Sequence, residues 1–171
     1  MNRLLIVLLV IILFPFHTFA QESEVEKKNI QLGLALSTMG GSGIYYLAKP
    51  TLHDHFKFTG IFIYDTENEN KDTYFSLGAE YQRNLFVNQV NRSYSIVGFS
   101  FDNSISGETF FDESNSDRIF NARVGMGIDF GNPDKGIIFN LHITYQYTSE
   151  FGDNEFNRLG LGGGFGIGLN F

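Results

Sequence analysis

The carboxy-terminal fourteen residues, Arg158 to Phe171 (RLGLGGGFGIGLNF), constrain this chain more than any other stretch. Leu159, Leu161, Phe165, Ile167, Leu169 and Phe171 fall on one parity, with Gly163 among them. Arg158, Gly160, Gly162, Gly164, Gly166, Gly168 and Asn170 fall on the other. A strand sends successive side chains to opposite faces, so this segment has one greasy face and one nearly bare face. The bare face suits the crowded inside of a narrow closed sheet, and the greasy face suits hydrocarbon.

The amino terminus has a different character. Arg3 precedes the apolar run Leu4 to Phe14, and Thr18-Phe19-Ala20 supplies a small-residue site. This pattern reads as a secretory signal peptide over residues 1–20, cleaved after Ala20. Eleven apolar residues are too few for a retained helical anchor, which needs about 20. Residues 21–29 (QESEVEKKN) are charged and aperiodic, a short flexible leader. The remainder, 30–171, is expected to form one domain. The chain has no cysteine, which excludes disulfide and thiolate chemistry and lipoprotein acylation. Its net charge is −7, and −8 once Arg3 leaves with the signal segment. That balance argues against nucleic acid, whose phosphates demand clustered Lys and Arg. Nothing in the sequence indicates a cofactor.

Eight segments carry the strand signal. The first starts near Ile30, and the second covers roughly Gly43 to Lys49, with its facing left open by the contiguous Ile44-Tyr45-Tyr46-Leu47. The third runs from about His55 to Tyr64. The fourth sets Phe75, Leu77, Ala79 and Tyr81 against Ser76, Gly78, Glu80 and Gln82. The fifth, about Arg92 to Asp102, is less regular and is read with Val97, Phe99 and Phe101 outward. The sixth opposes Phe120, Ala122, Val124, Met126, Ile128 and Phe130 to Asn121, Arg123, Gly125, Gly127 and Asp129. The seventh, Ile137 to Thr148, alternates as strictly, and Arg158 to Phe171 is the eighth. Polar, acidic connections (Asp65 to Asp72, Asn103 to Asp117, and around Gly152) alternate with shorter turns near Leu52, Phe86 and Pro133. An even strand number with longer loops at one end and shorter turns at the other predicts an all-β, eight-stranded, antiparallel up-and-down transmembrane β-barrel.

A soluble barrel would place its apolar face inward. Here that would force Ile, Leu, Phe and Tyr from eight strands into a lumen too narrow to hold them. The polar parity goes inside instead. It brings Lys57, Glu80, Arg123 and Asp129, both signs together, into the lumen, where ions removed from water must pair or be hydrated. A salt-bridged plug is expected, with the lining of a narrow passive channel as the alternative. The tyrosines are expected largely at strand ends, in girdles at the headgroup level.

The chain resembles the small eight-stranded outer-membrane barrels grouped broadly as porin-family proteins, over Ile30 to Phe171 and by pattern rather than by a catalytic motif. The resemblance implies the outer membrane of a Gram-negative cell, outer-membrane lipid around a monomer, and a structural or surface-interaction role without catalysis. It also implies that the terminal aromatic, Phe171, is an assembly signal read by the barrel-assembly machinery. A lipid A-modifying enzyme is a third reading. The lipid A 3-O-deacylases carry a late His-x-Ser-Asn stretch; here it is His142-Ile143-Thr144-Tyr145, with Thr and Tyr in the wrong places. A lumenal His142, hydrogen-bonded to its neighbours, is the simpler expectation. His53-Asp54-His55 is too sparse for a metal site and reads as a solvated turn. Twelve of the nineteen acids are expected in the outer loops: Asp65, Glu67, Glu69, Asp72, Asp102, Glu108, Asp112, Glu113, Asp117, Glu150, Asp153 and Glu155. With Phe110 and Phe111 among them, these loops are candidates for an extracellular ligand or bridging divalent cations.

Overall fold

A computed structural model describes residues 30–37, 41–65, 71–107, 116–132, 136–151 and 156–171. The signal peptide and leader lie outside the described residues. The elements in order are β1 (Ile30–Ser37), β2 (Gly43–Ala48), β3 (Asp54–Asp65), β4 (Lys71–Val87), β5 (Asn91–Gly107), β6 (Ser116–Phe130), β7 (Gly136–Phe151) and β8 (Phe156–Asn170). Every strand pairs antiparallel with its sequence neighbour, and β8 returns to pair with β1, closing the barrel. Closure removes every free sheet edge where the pairing is continuous.

Burial follows parity. On β7, Ile137, Phe139, Leu141, Ile143, Tyr145 and Tyr147 are exposed, while Ile138, Asn140, His142, Thr144, Gln146 and Thr148 are buried. On β8, Leu159, Leu161, Phe165, Ile167, Leu169 and Phe171 are exposed, and Leu161 reaches 76%. Each such side chain gains about 1.5–3 kcal/mol on leaving water, so the outside of this wall is unfavourable in water and favourable in hydrocarbon. The inside holds amides, hydroxyls and ions. No helix among the described residues is long and apolar enough to cross a membrane.

The open facings are settled here. On β2, Tyr45 and Leu47 point inward while Ile44 and Tyr46 point outward. On β5, Val97 and Phe99 face out, and Tyr94, Ile96 and Ser100 face in. Tracing hydrogen-bonded partners from Leu34 through Ile44, Gly60, Leu77, Phe101, Phe120, Ser149 and Asn157 does not lead back to Leu34. Asn157 lies well beyond Gly164, the last β8 residue to pair with β1. The strands are therefore steeply tilted, as closure of a narrow barrel requires.

Two strands outrun their expected bounds. β4 and β5 are 17 residues each, and their pairing continues to Asp72↔Ser106 and Lys71↔Gly107. Residues 103–107 and 116–117, expected in a loop, belong to β5 and β6. Apolar alternation fades there: Asn103 is buried and Ser104 exposed, both polar, so periodicity no longer marks the strand. At the other end the β4–β5 connection is Asn88 to Val90, tied by Asn88 Oδ1 accepting from the Val90 and Asn91 amides at 2.9 and 2.7 Å. A register shift between Asn84 and Phe86 precedes it.

Candidate functional site

The site is built from glycines. Along the closing seam the inward pairs are Gln31↔Asn170 at one end and then Gly33↔Gly168, Ala35↔Gly166 and Ser37↔Gly164, which leaves β1 and β8 almost bare inside beyond that first pair. Larger side chains occupy that space. A Cβ on Gly168 would overlap the Tyr45 hydroxyl, and one on Gly164 would lie 2.5 Å from the His142 ring. On β6, a Cβ on Gly127 would lie 2.6 Å from the Tyr94 hydroxyl. Tyr45 and Tyr94, each 2% exposed, are thus lumen residues seated on glycines. They correct the expectation that tyrosines gather in girdles; Tyr64, Tyr145 and Tyr147 do face outward.

Charge is threaded between these rings. Arg123 Nη2 approaches Glu80 Oε1 to 2.8 Å, and Lys57 Nζ lies 3.9 Å from Glu80 Oε2. The register explains this trio: Lys57 pairs with Glu80, Glu80 with Gly98, and Gly98 with Arg123. The intervening glycine lets the two long side chains meet across it. Gln82 donates to Glu80 Oε2 at 3.1 Å and accepts from Arg92 Nη2 at 2.7 Å. Arg92 Nε in turn sits 2.8 Å from Asp129 Oδ2 and its Nη1 contacts His55 Nδ1. A continuous line of polar contacts therefore runs from Lys57 and Arg123 through Glu80, Gln82 and Arg92 to Asp129. Lys57 lies over the Tyr45 ring at 4.8 Å and Arg92 over Tyr94 at 4.2 Å, both in cation–π range.

Lys57, Glu80 and Arg123 come together directly, whereas Asp129 joins them only through Arg92 and Gln82. Arg92, Gln82 and His55 are members that the sequence reading did not single out. The signal was present in parity: Arg92 shares the inward register of Tyr94, Ile96 and Ser100. His55 is a buried strand residue, 5% exposed, not part of a solvated turn; His53 alone stays in the exposed turn. Asp102 is corrected as well. It lies inside, 7% exposed, and accepts from Tyr74 at 3.2 Å and from Asn121 Nδ2 at 3.2 Å. Asn121 Oδ1 accepts from Thr148 at 2.7 Å and Gln146 at 3.3 Å, which closes the lumen toward the loop end. His142 and Thr144 both face the lumen, away from lipid. The His142 Nε2 makes no hydrogen bond to a described residue. Phe171 is 57% exposed at the end of β8, its amide donating to the Ile30 carbonyl at 3.0 Å. Glu67, Glu69, Glu108, Phe110, Phe111, Asp112, Glu113, Asp153 and Glu155 lie outside the described residues.

Among the described residues the buried charges balance: Lys57, Arg92 and Arg123 against Glu80, Asp102 and Asp129. Among the described residues no cluster of three His, Cys, Asp or Glu is placed to hold a metal. The chain is a closed eight-stranded antiparallel barrel with an apolar outer face and a polar lumen. No protein-family model matches it, and no curated protein matches its sequence. Among solved structures, it is similar to Ail, the attachment invasion locus protein of Yersinia pestis. The two are 17% identical over 83% of this chain and 96% of that one, with a TM-score of 0.37.

Proposed function

We propose that this chain is an integral outer-membrane protein of a Gram-negative envelope, exported on a signal peptide cleaved after Ala20, acting as a monomer in a structural or surface-interaction role without catalysis. The observation that carries this reading is the inside-out wall. Its outer band is aliphatic and aromatic, and its lumen is occupied by the Lys57–Glu80–Arg123 trio and the Arg92–Asp129 pair. Such a lumen leaves the outward loops as the part free to act. Their acids suit divalent cations or a basic ligand, and the exposed ring of Phe171 suits recognition by the assembly machinery.

The test is electrophoretic and electrical. The refolded chain is expected to migrate faster before boiling than after, and to give no stepwise current in planar bilayers. Discrete conductance that changes in Glu80→Ala would replace the plug with a narrow channel. A changed lipid A mass on expression, abolished by His142→Ala, would replace it with an enzyme.

A further inference from the structure

The wall is not equally tall all round. β2 pairs with β3 only as far as Ile44↔Gly60, and β1 pairs with β8 only as far as Ser37↔Gly164. β3 continues to Asp65 and β8 extends back to Phe156. The β1–β2 pairing stops short between them, and Gly41 lies over the lumen: a Cβ there would lie 2.8 Å from Arg123 Nη2 and 3.3 Å from Thr59 Oγ1. Ser42 Oγ ties the hairpin off by accepting from the Ser37 amide at 2.9 Å.

Above this point β3 is apolar on both faces. Phe62 and Tyr64, on the outward parity, are 61% and 52% exposed; Ile63, on the inward parity, is 51% exposed. A strand that reads as a continuous hydrophobic run, here Ile61-Phe62-Ile63-Tyr64, has an apolar medium on both sides. Opposite it on β8, Leu159 and Leu161 keep the flank apolar. The shortened stretch of wall therefore lies within the hydrocarbon band, below the level of Tyr64. At its foot is a groove of about 520 Å³ lined by Ile44, Gly60, Ile61, Phe62, Phe75 and Leu77. Gly60 creates it: Gly60 faces out between Ile44 and Leu77, its partners on the two neighbouring strands, and contributes no side chain.

We infer that this groove holds one acyl chain of an outer-leaflet lipid, which takes the place of the wall that the short hairpin does not supply. The occupant is set by depth and lining: an aliphatic and aromatic groove open sideways in the hydrocarbon band meets lipid chains before anything else. This rests on the membrane reading above.

The test uses the full mature chain refolded in detergent micelles with added phosphatidylcholine, and native mass spectrometry to count lipid retained after the detergent is stripped. The wild type is expected to keep one lipid. Gly60→Leu, which fills the groove, should lower that retention about tenfold. Ala122→Leu, which adds bulk to the outward parity of β6, away from the short hairpin, should leave it unchanged. Equal retention in all three proteins overturns the inference. So does a wild-type dimer that Gly60→Leu dissociates, because the occupant is then a second copy. Should Gly60→Leu lose its heat-modifiable migration, Gly60→Ala serves instead: its Cβ would meet Leu77 Cδ2 at an ordinary 3.4 Å, and undiminished retention there would count against the groove. A wild type that stays monodisperse without detergent would sink the membrane reading itself.

Discussion

The β8–β1 seam and the β4–β5 hairpin solve opposite halves of one packing problem. The seam is bare inside, with Gly, Ala and Ser in register across the closing pair. The hairpin carries Glu80, Gln82, Arg92, Tyr94 and Asp102 inward. An eight-stranded lumen is just wide enough for side chains to fill, so long residues on one wall require absent ones on another. The seam glycines are thus the complement of Tyr45, His142 and Asn140, which lie against them. The lengths differ in the same sense. Seventeen residues rise about 56 Å along a strand, far more than the apolar band of about 25 Å needs even at a steep tilt. β1 and β2 have only eight and six residues. One wall is far taller than the other.

The comparison breaks most decisively at Glu80. Glu80→Ala leaves Lys57 and Arg123 buried beside each other without a counter-ion, and should cost about 3–5 kcal/mol, read as a lower urea midpoint for the loss of heat-modifiable migration. An unchanged midpoint would mean that water, rather than the carboxylate, balances those cations. On the outer side of the seam, Phe165→Arg should cost about 2–4 kcal/mol in the same titration in phospholipid bilayers. A neutral result would place β8 outside the hydrocarbon.

The glycine argument is sharpened by a double-mutant cycle. Gly168→Ala is expected to cost about 1–3 kcal/mol by crowding Tyr45. Joined to Tyr45→Phe, which removes the hydroxyl that Cβ would strike, the pair should cost clearly less than the sum of the single changes. Strict additivity would show that Gly168 is needed for some other reason. The smallest effect is at the short hairpin. Ser42→Ala removes the contact to the Ser37 backbone and should lower stability by about 0.5–1.5 kcal/mol, with no loss of closure.

Parity was legible wherever a strand has lipid on one side and protein on the other. β6, β7 and β8 read correctly for that reason; Lys57, Glu80, Arg123 and Asp129 are buried on the inward parity. It failed where that contrast is missing. Asn103 and Ser104 are both polar although one is buried and the other exposed, so their strand looked like a loop and Asp102 looked like part of a rim. Ile61 and Ile63 alternate with Phe62 and Tyr64 without any polar parity, beyond the last pair that β3 makes with β2. The contiguous Ile44-Tyr45-Tyr46-Leu47 was ambiguous because Tyr45 fills lumen space left by Gly33 and Gly168, and Leu47 is buried as well.

Composition and period alone decided that this chain closes into eight strands with its greasy face outward, since alternation is a local property that each strand carries by itself. Which ion meets which was decided only by the closed barrel. Arg92 finds Asp129, and Arg123 reaches Glu80 across Gly98, because tilt and register bring inward side chains from separate strands to the same level of a narrow lumen. The groove at Gly60 has the same origin: its lining comes from three strands, and its depth comes from a hairpin that stops before its neighbours do.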